Sequence, residues 1–190
     1  MNERSHVLLL LAVTMLVYGN TLLNGFTLDD DVYISSNPAV TSPSVKALFE
    51  PSKANNLFRP VTFASFALNW KVGRDRPFGY HLFNLLLHAT VILLLYLVLR
   101  RLLDPVPKAA TIALVSAWLF ALHPIHTEAV TSIVGRAELL AAGFLLAAWL
   151  LHLHDRPILA LVSFAFALLS KESAVAFCRW CSQAIMPAAS

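Results

Sequence analysis

Long apolar runs alternate with short polar segments along most of this chain. Runs near the length that crosses a bilayer, about 17 to 25 residues, lie at about 5–23, 80–99, 109–122, 137–151 and 157–169. The third and fifth are short, so we expect thin spans or helices packed against protein. Because lipid offers no partners to free backbone groups, each run must be helical. The pattern predicts an all-α integral membrane protein, a multi-span helical bundle.

One more helix is predicted between the first two spans, over residues 61–70. Its apolar side chains Phe63, Phe66, Ala67 and Trp70 recur at helical spacing and share one face. Such a stripe is typical of an amphipathic helix in an outer loop that lies on the membrane surface.

Composition supports the membrane assignment. The chain is 58% hydrophobic and 13% charged, whereas soluble domains carry about 25% charged residues. The net charge of +3 comes from scattered basic residues that form no stripe, so no nucleic acid partner is expected. Only Cys178 and Cys181 are present, so no disulfide framework supports the fold.

Basic residues in the short loops predict the orientation. Lysine and arginine are retained on the cytosolic side, and the short loops carry Arg4, Arg100, Arg101, Lys108 and Arg156. The amino terminus is then cytosolic, with the first run as an uncleaved signal anchor. Segments 24–79, 123–136 and 171–172 face the opposite side. The long segment 24–79 fits the rule poorly, because it carries Lys46, Lys53, Arg59, Lys71, Arg74 and Arg76.

Three consecutive acids, Asp29, Asp30 and Asp31, follow the first span. The simplest interpretation is a solvated loop. A second is a general base that takes a proton from an acceptor hydroxyl as that hydroxyl attacks an activated sugar. A third is a pair of carboxylates that holds a divalent cation on a leaving phosphate. The residues alone do not choose among these.

Two later segments carry further candidate chemistry. His123, His126 and Glu128 resemble metal ligands, but Pro124 disturbs the helical phase and no matching ligands follow at zinc-like spacing, so no metal site is assigned. Arg136 has a planar fork of donors that suits a phosphate near the bilayer surface. Capping and contacts between helices are the alternative roles.

Polar residues also interrupt two of the apolar runs. Lys171 and Glu172 form a charged pair at the outer end of the fifth span, where it is either functional or simply ends the helix. His81, Asn84 and His88 follow one stripe of the second span, and we expect this stripe to face the interior of the bundle.

An ordered set of motifs carries a family resemblance. The motifs are Phe26-x-x-Asp29-Asp30-x-x-x-Ile34-x-x-Asn37, Phe58-Arg59-Pro60-Val61-Thr62, Tyr80-His81-Leu82-x-Asn84-Leu85-Leu86-Leu87-His88, His123-Pro124-Ile125-His126-Thr127-Glu128-Ala129-Val130, Ile133-Val134-Gly135-Arg136-Ala137-Glu138 and Lys171-Glu172. In this order they resemble the transmembrane and tetratricopeptide-repeat protein O-mannosyltransferases and their bacterial relatives, within the C-type glycosyltransferase superfamily.

The resemblance implies a function. Such proteins transfer mannose from a polyprenyl-phosphate donor to serine or threonine hydroxyls of an acceptor protein on the non-cytosolic face. The membrane would be the bacterial plasma membrane or the endoplasmic reticulum. Asp29 and Asp30 would match the catalytic acidic pair, and the donor phosphate would be bound by Arg59, His126, Arg136 and Lys171. No cofactor is certain, and a divalent cation is possible.

The chain also departs from the family pattern after about residue 175. A divergent tail, 176–190, replaces the expected continuation, and no tetratricopeptide repeats follow. We therefore expect residues 1–175 to be the amino-terminal part of a longer enzyme. The alternative is a non-catalytic membrane anchor or scaffold, in which the polar stripes only hold helices together.

Overall fold

The structure is a computed structural model that describes residues 3–51 and 56–176, apart from the side chain of Leu28. All regular elements in these ranges are helical, which confirms the all-α class. The α-helices are α1 Glu3–Tyr18, α2 Leu28–Asp30, α3 Pro38–Thr41, α4 Val45–Phe49, α5 Pro60–Gly73, α6 Pro77–Leu102, α7 Ala109–Ala121, α8 His126–Thr131, α9 Arg136–Leu153 and α10 Pro157–Ser170. The predicted tail lies outside the described residues from position 177 onward.

Each of the five predicted spans coincides with a helix. In the described part of the chain, three helices are long and apolar enough to cross a membrane: α6, α9, and α1 with its 3₁₀ extension, together Glu3–Leu23. Helices α7 and α10 have 13 and 14 residues. At a rise of about 1.5 Å per residue, these two reach only about 20 Å, so the two runs predicted to be short are short helices.

Helices α1 and α6 run antiparallel. Glu3, at the start of α1, pairs with Arg100 at the end of α6, with 3.3 Å between carboxylate and guanidinium atoms. At the other end of α1, the Tyr18 ring packs edge-on against the His88 ring at a centroid distance of 5.1 Å. His154, at the end of α9, lines the same cleft as Glu3 and Arg100. The three predicted cytosolic segments therefore share one end of the bundle.

The predicted apolar stripe of α5 packs against protein and not against the membrane surface. Phe63 and Phe66, on the face predicted to rest on the membrane, are fully buried against neighbouring helices, and Trp70 packs at their edge. The apolar stripe was predicted correctly, but protein covers it. The exposed apolar side chains Leu68 and Val72 come from other positions of the helix.

The short helix α7 is held by close contact through small side chains. Ala113, Ala117 and Ala121 are fully buried at intervals of four residues and pack beside Ile92 and Tyr96 of α6. Small residues let helix backbones approach closely, and packing rather than lipid transfer then stabilises the pair. This explains how a helix this short is retained in the bundle.

The polar stripe on α6 faces the interior, as predicted. His81, Asn84 and His88 are at most 1% exposed. The Asn84 amide donates to the carbonyl oxygens of Ser132 and Ile133, at 2.9 and 3.3 Å. The stripe therefore fixes the loop between α8 and α9 against α6.

Candidate functional site

The acidic segment places its first two carboxylates in different surroundings. Helix α2 begins after Thr27, and the Asp30 carboxylate reaches back to accept hydrogen bonds from the Thr27 amide at 2.7 Å and the Thr27 hydroxyl at 3.0 Å. This capping arrangement buries Asp30 to 1% exposure, while Asp29 stays exposed. Asp29 and Asp31 line an open cleft of about 620 Å³ together with Phe26 and Thr27.

The buried side of this segment contacts α6. The second oxygen of Asp30 has no hydrogen-bond partner among the described residues, and neither ring nitrogen of the buried His81 has one. The carboxylate of Asp30 and the backbone of Gly25 lie within electrostatic reach of the His81 ring. Asp30 is thus part of the packed structure, whereas Asp29 is open to solvent.

Three of the four residues predicted to bind phosphate meet in a second cleft, which we call the cationic cleft. It has a volume of about 490 Å³ and is lined by Arg59, His126 and Lys171, together with Tyr33, Glu128 and Glu138. Arg59 immediately precedes α5, His126 begins α8, and Lys171 follows α10. Side chains from three distant parts of the sequence therefore converge at the end of the bundle that carries the acidic segment.

Internal carboxylates balance the cations of this cleft. Arg59 binds Glu172 through two parallel hydrogen bonds, Nε to Oε2 at 2.9 Å and Nη2 to Oε1 at 2.6 Å. This charge-assisted pair lowers the pKa of Glu172 to about 2. Lys171 forms an ion pair with Glu138, and burial lowers its pKa. Lys171 and Glu172, predicted as one charged pair, thus bind different partners.

His126 contributes a neutral ring rather than a cation. Its imidazole lies against the Phe120 ring at a centroid distance of 4.1 Å and against the His88 ring at 5.6 Å. Burial lowers the pKa of His126, and the nearby His123 acts in the same direction. At neutral pH it therefore offers hydrogen bonds to the cleft, without a formal charge.

Arg136 is not in the cationic cleft, and its predicted contact with phosphate does not fit this structure. The side chain is fully buried. Its guanidinium donates to the side-chain oxygens of Asn84 at 2.8 Å and Asn69 at 2.6 Å. It also donates to the carbonyl oxygens of Ser65 at 3.2 Å and Tyr80 at 3.0 Å.

The rings around Arg136 complete its enclosure. Its guanidinium carbon lies 4.5 Å from the Phe66 ring centroid and 4.6 Å from that of Phe83. The guanidinium group that was predicted to bind phosphate instead donates to acceptors on α5 and α6. Arg136, the first residue of α9, therefore joins α5, α6 and α9. The signal for this role was the pair of asparagines, Asn69 and Asn84, each on an otherwise apolar helix.

Gly135 allows α8 to approach the start of α9 closely. A Cβ atom at this position would lie 2.5 Å from the carbonyl oxygen of Ala129. Real Cβ contacts are not this short, so any side chain here must push α8, and with it His126, away from α9.

We expect Gly135→Ala to lower the free energy of unfolding by about 1–3 kcal/mol, the usual effect of overpacking. Thermal unfolding of the purified chain in detergent measures this. Gly143→Ala is the matched control, because the nearest atom to its added Cβ is a Val91 methyl at 3.7 Å. Equal unfolding temperatures for the two variants would contradict the close approach.

Metal ligands do not converge in the described part of the chain. Across residues 3–51 and 56–176, no three histidine, cysteine, aspartate or glutamate side chains are grouped as a metal site. A divalent cation at the acidic segment stays a prediction.

Comparison with known proteins identifies relatives from several animals. The chain is 39% identical over 154 residues to mouse Protein O-mannosyl-transferase TMTC3, a match that covers 76% of this chain and 16% of the mouse protein. It is 37% identical over 181 residues to Drosophila melanogaster Protein O-mannosyl-transferase Tmtc1, covering 86% of this chain and 21% of the fly protein. Human TMTC1, of the same protein name, is 36% identical over 153 residues, covering 75% and 17%.

The relatives are much longer than the matched region, since the chain spans between 16% and 21% of these three proteins. No family model matches the chain, and no solved structure does. The matched identities nevertheless extend over most of the chain, as the motif order led us to expect. The chain is therefore a homologue of the TMTC protein O-mannosyl-transferases and corresponds to one part of those longer membrane proteins.

Proposed function

We propose that this chain forms the part of a membrane-embedded protein O-mannosyltransferase that holds the catalytic base and part of the donor site. The sugar, mannose, passes from a polyprenyl-phosphate donor to serine or threonine hydroxyls of an acceptor protein. The observation that carries the proposal is the cationic cleft, in which Arg59, His126 and Lys171 come together beside the acidic segment. The names of the relatives supply the reaction class.

The donor phosphate binds in the cationic cleft by exchange of ion-pair partners. Arg59 and Lys171 are paired with Glu172 and Glu138, and both carboxylates are half exposed or more, so water can solvate them when a phosphate displaces them. His126 adds a hydrogen bond. Cations beside the phosphate that links mannose to the polyprenyl chain stabilise the negative charge that develops on this phosphate as the bond to the sugar breaks.

Asp29 is the proposed base. It precedes Tyr33, which lines the cationic cleft, by four residues, and α2 continues directly into a π-helix, Asp31–Ser35, that carries Tyr33. The hydroxyl oxygen of the acceptor attacks C1 of mannose and its proton passes to the Asp29 carboxylate. The bond between C1 and the phosphate oxygen breaks, and the polyprenyl phosphate leaves with the bonding electrons.

This end of the bundle faces the non-cytosolic side in the proposal. The basic loops lie at the opposite end, beside Glu3, Arg100 and His154, and such loops are retained in the cytosol. The membrane is that of the endoplasmic reticulum or, for a bacterial chain, the plasma membrane. The bilayer, the lipid-linked sugar and the acceptor protein are the partners.

The test is mannose transfer by a chimera, in which this chain replaces the matching segment of mouse TMTC3. We expect Lys171→Gln to raise the KM for polyprenyl-phosphate mannose by about 10-fold or more, since a hydrogen bond between charged groups contributes about 1.5–3 kcal/mol. Glu138→Gln should lower that KM, because it removes the carboxylate that competes for Lys171. Membranes that express each chimera, assayed across donor concentrations, measure both.

Lys46→Gln is the control, because Lys46 is exposed and, within residues 3–51 and 56–176, forms an ion pair only with its helical neighbour Glu50. If Lys171→Gln and Glu138→Gln move the KM in the same direction, the exchange of partners is wrong. A correctly folded chimera that transfers no mannose, with or without these variants, would favour the non-catalytic scaffold.

A further inference from the structure

A third cleft, which we call the amphiphilic groove, lies between α5 and the short helices α3 and α4. Its volume is about 600 Å³. Its walls are mostly apolar and two cations stand at one end, with Val40, Leu48, Leu68, Trp70, Lys71 and Arg74 among the lining residues. It shares no lining residue with the cationic cleft or with the cleft at Asp29. The proposed sugar transfer therefore does not account for it.

The groove lies beside the end of a membrane-spanning helix. Helix α5 ends at Gly73 and α6, the longest apolar helix described, begins at Pro77. Apolar side chains on this edge face outward, with Val72 90% and Phe78 54% exposed. Exposed apolar groups at the end of a span are typical of contact with lipid. The cations of the groove thus stand at the level of lipid headgroups.

Lys71 and Arg74 form no ion pair with any residue that the structure describes. Among residues 3–51 and 56–176, no carboxylate oxygen lies within 4.0 Å of the charged nitrogens of Lys71 or Arg74. The cations of the cationic cleft, by contrast, are paired with Glu172 and Glu138. Unpaired cations at the mouth of an apolar groove complement an anion that carries an apolar chain.

The backbone at Arg74 is strained in a way that glycine would relieve. Arg74 has φ 52° and ψ −118°, and the amide of Arg76 donates to the carbonyl of Gly73 at 3.1 Å. These are the angles of the second residue of a type II′ turn, a position that glycine dominates. The Tyr80 hydroxyl donates to the Arg74 carbonyl at 2.9 Å and holds this conformation. An arginine kept where glycine fits better points to a use for its side chain.

We propose that the amphiphilic groove binds an anionic phospholipid of the surrounding bilayer. Its phosphate lies between Lys71 and Arg74, and an acyl chain lies along Leu48, Leu68 and Trp70. The bound lipid covers the apolar wall between α4 and α5 and anchors this part of the outer loop to the membrane. A bound anionic lipid also explains why segment 24–79, on the predicted non-cytosolic side, carries Lys71 and Arg74, although basic residues are usually retained on the cytosolic side.

Native mass spectrometry of the purified chain in detergent tests the proposal. Phosphatidylglycerol is titrated against phosphatidylcholine, which has similar acyl chains but no net charge. We expect phosphatidylglycerol to be retained preferentially, and Lys71→Gln and Arg74→Gly each to weaken its retention about fivefold, the usual effect of one cation at an anionic surface. Arg101→Gln, at the opposite end of α6, removes the same charge and should leave retention unchanged.

Arg74→Gly and one further variant, Ala64→Phe, separate lipid binding from folding. Arg74→Gly should raise the thermal unfolding temperature of lipid-free protein by roughly 2–4 °C, because it relieves the strained turn. A variant that is more stable yet binds less lipid cannot be explained by misfolding. Ala64→Phe fills the groove without a change of charge and should also reduce retention.

Equal retention of the two phospholipids would overturn the proposal, as would equal loss in Arg101→Gln and Arg74→Gly. A third arm adds polyprenyl phosphate. If it displaces phosphatidylglycerol from the groove, and Lys71→Gln also raises the KM for the donor in the chimera, the groove belongs to the donor lipid and the proposal is wrong.

Discussion

Asp29→Asn in the mouse chimera is expected to lower the turnover of mannose transfer by about 10²–10⁴-fold, the usual contribution of a positioned general base. The amide keeps the size and polarity of the side chain but cannot accept the proton of the acceptor hydroxyl. The KM for the donor should change little, because the proposed phosphate site is formed by Arg59 and Lys171, not by Asp29. Initial rates at saturating donor, with a serine-containing acceptor peptide, measure the effect.

The neighbouring acids supply two controls. Asp31→Asn removes an exposed carboxylate from the same cleft and should leave turnover near that of the parent. Asp30→Asn weakens the capping bonds to Thr27 and should mainly reduce stability, by about 1 kcal/mol. If Asp30→Asn abolishes turnover in a protein that unfolds at the parent temperature while Asp29→Asn retains it, the roles of the two acids are reversed.

Arg136→Ala is expected to destabilise the chain by at least about 3 kcal/mol, because five acceptor atoms of four residues lose a charged donor. The side chain is fully buried, so water cannot replace those hydrogen bonds. Arg136→Lys should be intermediate, since an ammonium lacks the planar fork that reaches α5 and α6 together. Unfolding of the purified chain in detergent, followed by circular dichroism, measures both.

Arg101→Ala is the matched control for this loss of charge. Arg101 is exposed and, in the part of the chain that the structure describes, forms an ion pair only with Asp104. Its removal should therefore change the unfolding free energy by no more than about 0.5 kcal/mol. If Arg136→Lys is as stable as the parent and its chimera has a raised KM for the donor, the structural role of Arg136 is wrong. The phosphate contact predicted from the sequence would then be supported.

The helices and the interior stripe of α6 could be predicted because both depend on local periodicity. A long apolar run predicts a helix whether lipid or protein surrounds it. His81, Asn84 and His88 share a face because of their spacing alone. The same reasoning identified the stripe on α5 but not what covers it. Whether lipid or protein lies against Phe63 and Phe66 depends on chain segments far away in the sequence.

The sequence selected three residues that the structure brings together, but it did not predict what surrounds them. Arg59, His126 and Lys171 do meet in one cleft. Asp29 and Asp30 are identical in type and adjacent, and only the turn at Thr27 makes one buried and the other exposed. Arg136 was misplaced because an arginine near a membrane edge suits phosphate and buried amides equally well, and its acceptors belong to two other helices.

The bond between Arg59 and Glu172 joins positions 113 residues apart. During synthesis the first of these leaves the ribosome long before the second, and α6, α7, α9 and α10 must be synthesised in between. Arg59 therefore spends much of biogenesis without its carboxylate partner. Lys171 follows α10 and completes the cationic cleft, so a nascent chain acquires this cleft only near the end of the region described here.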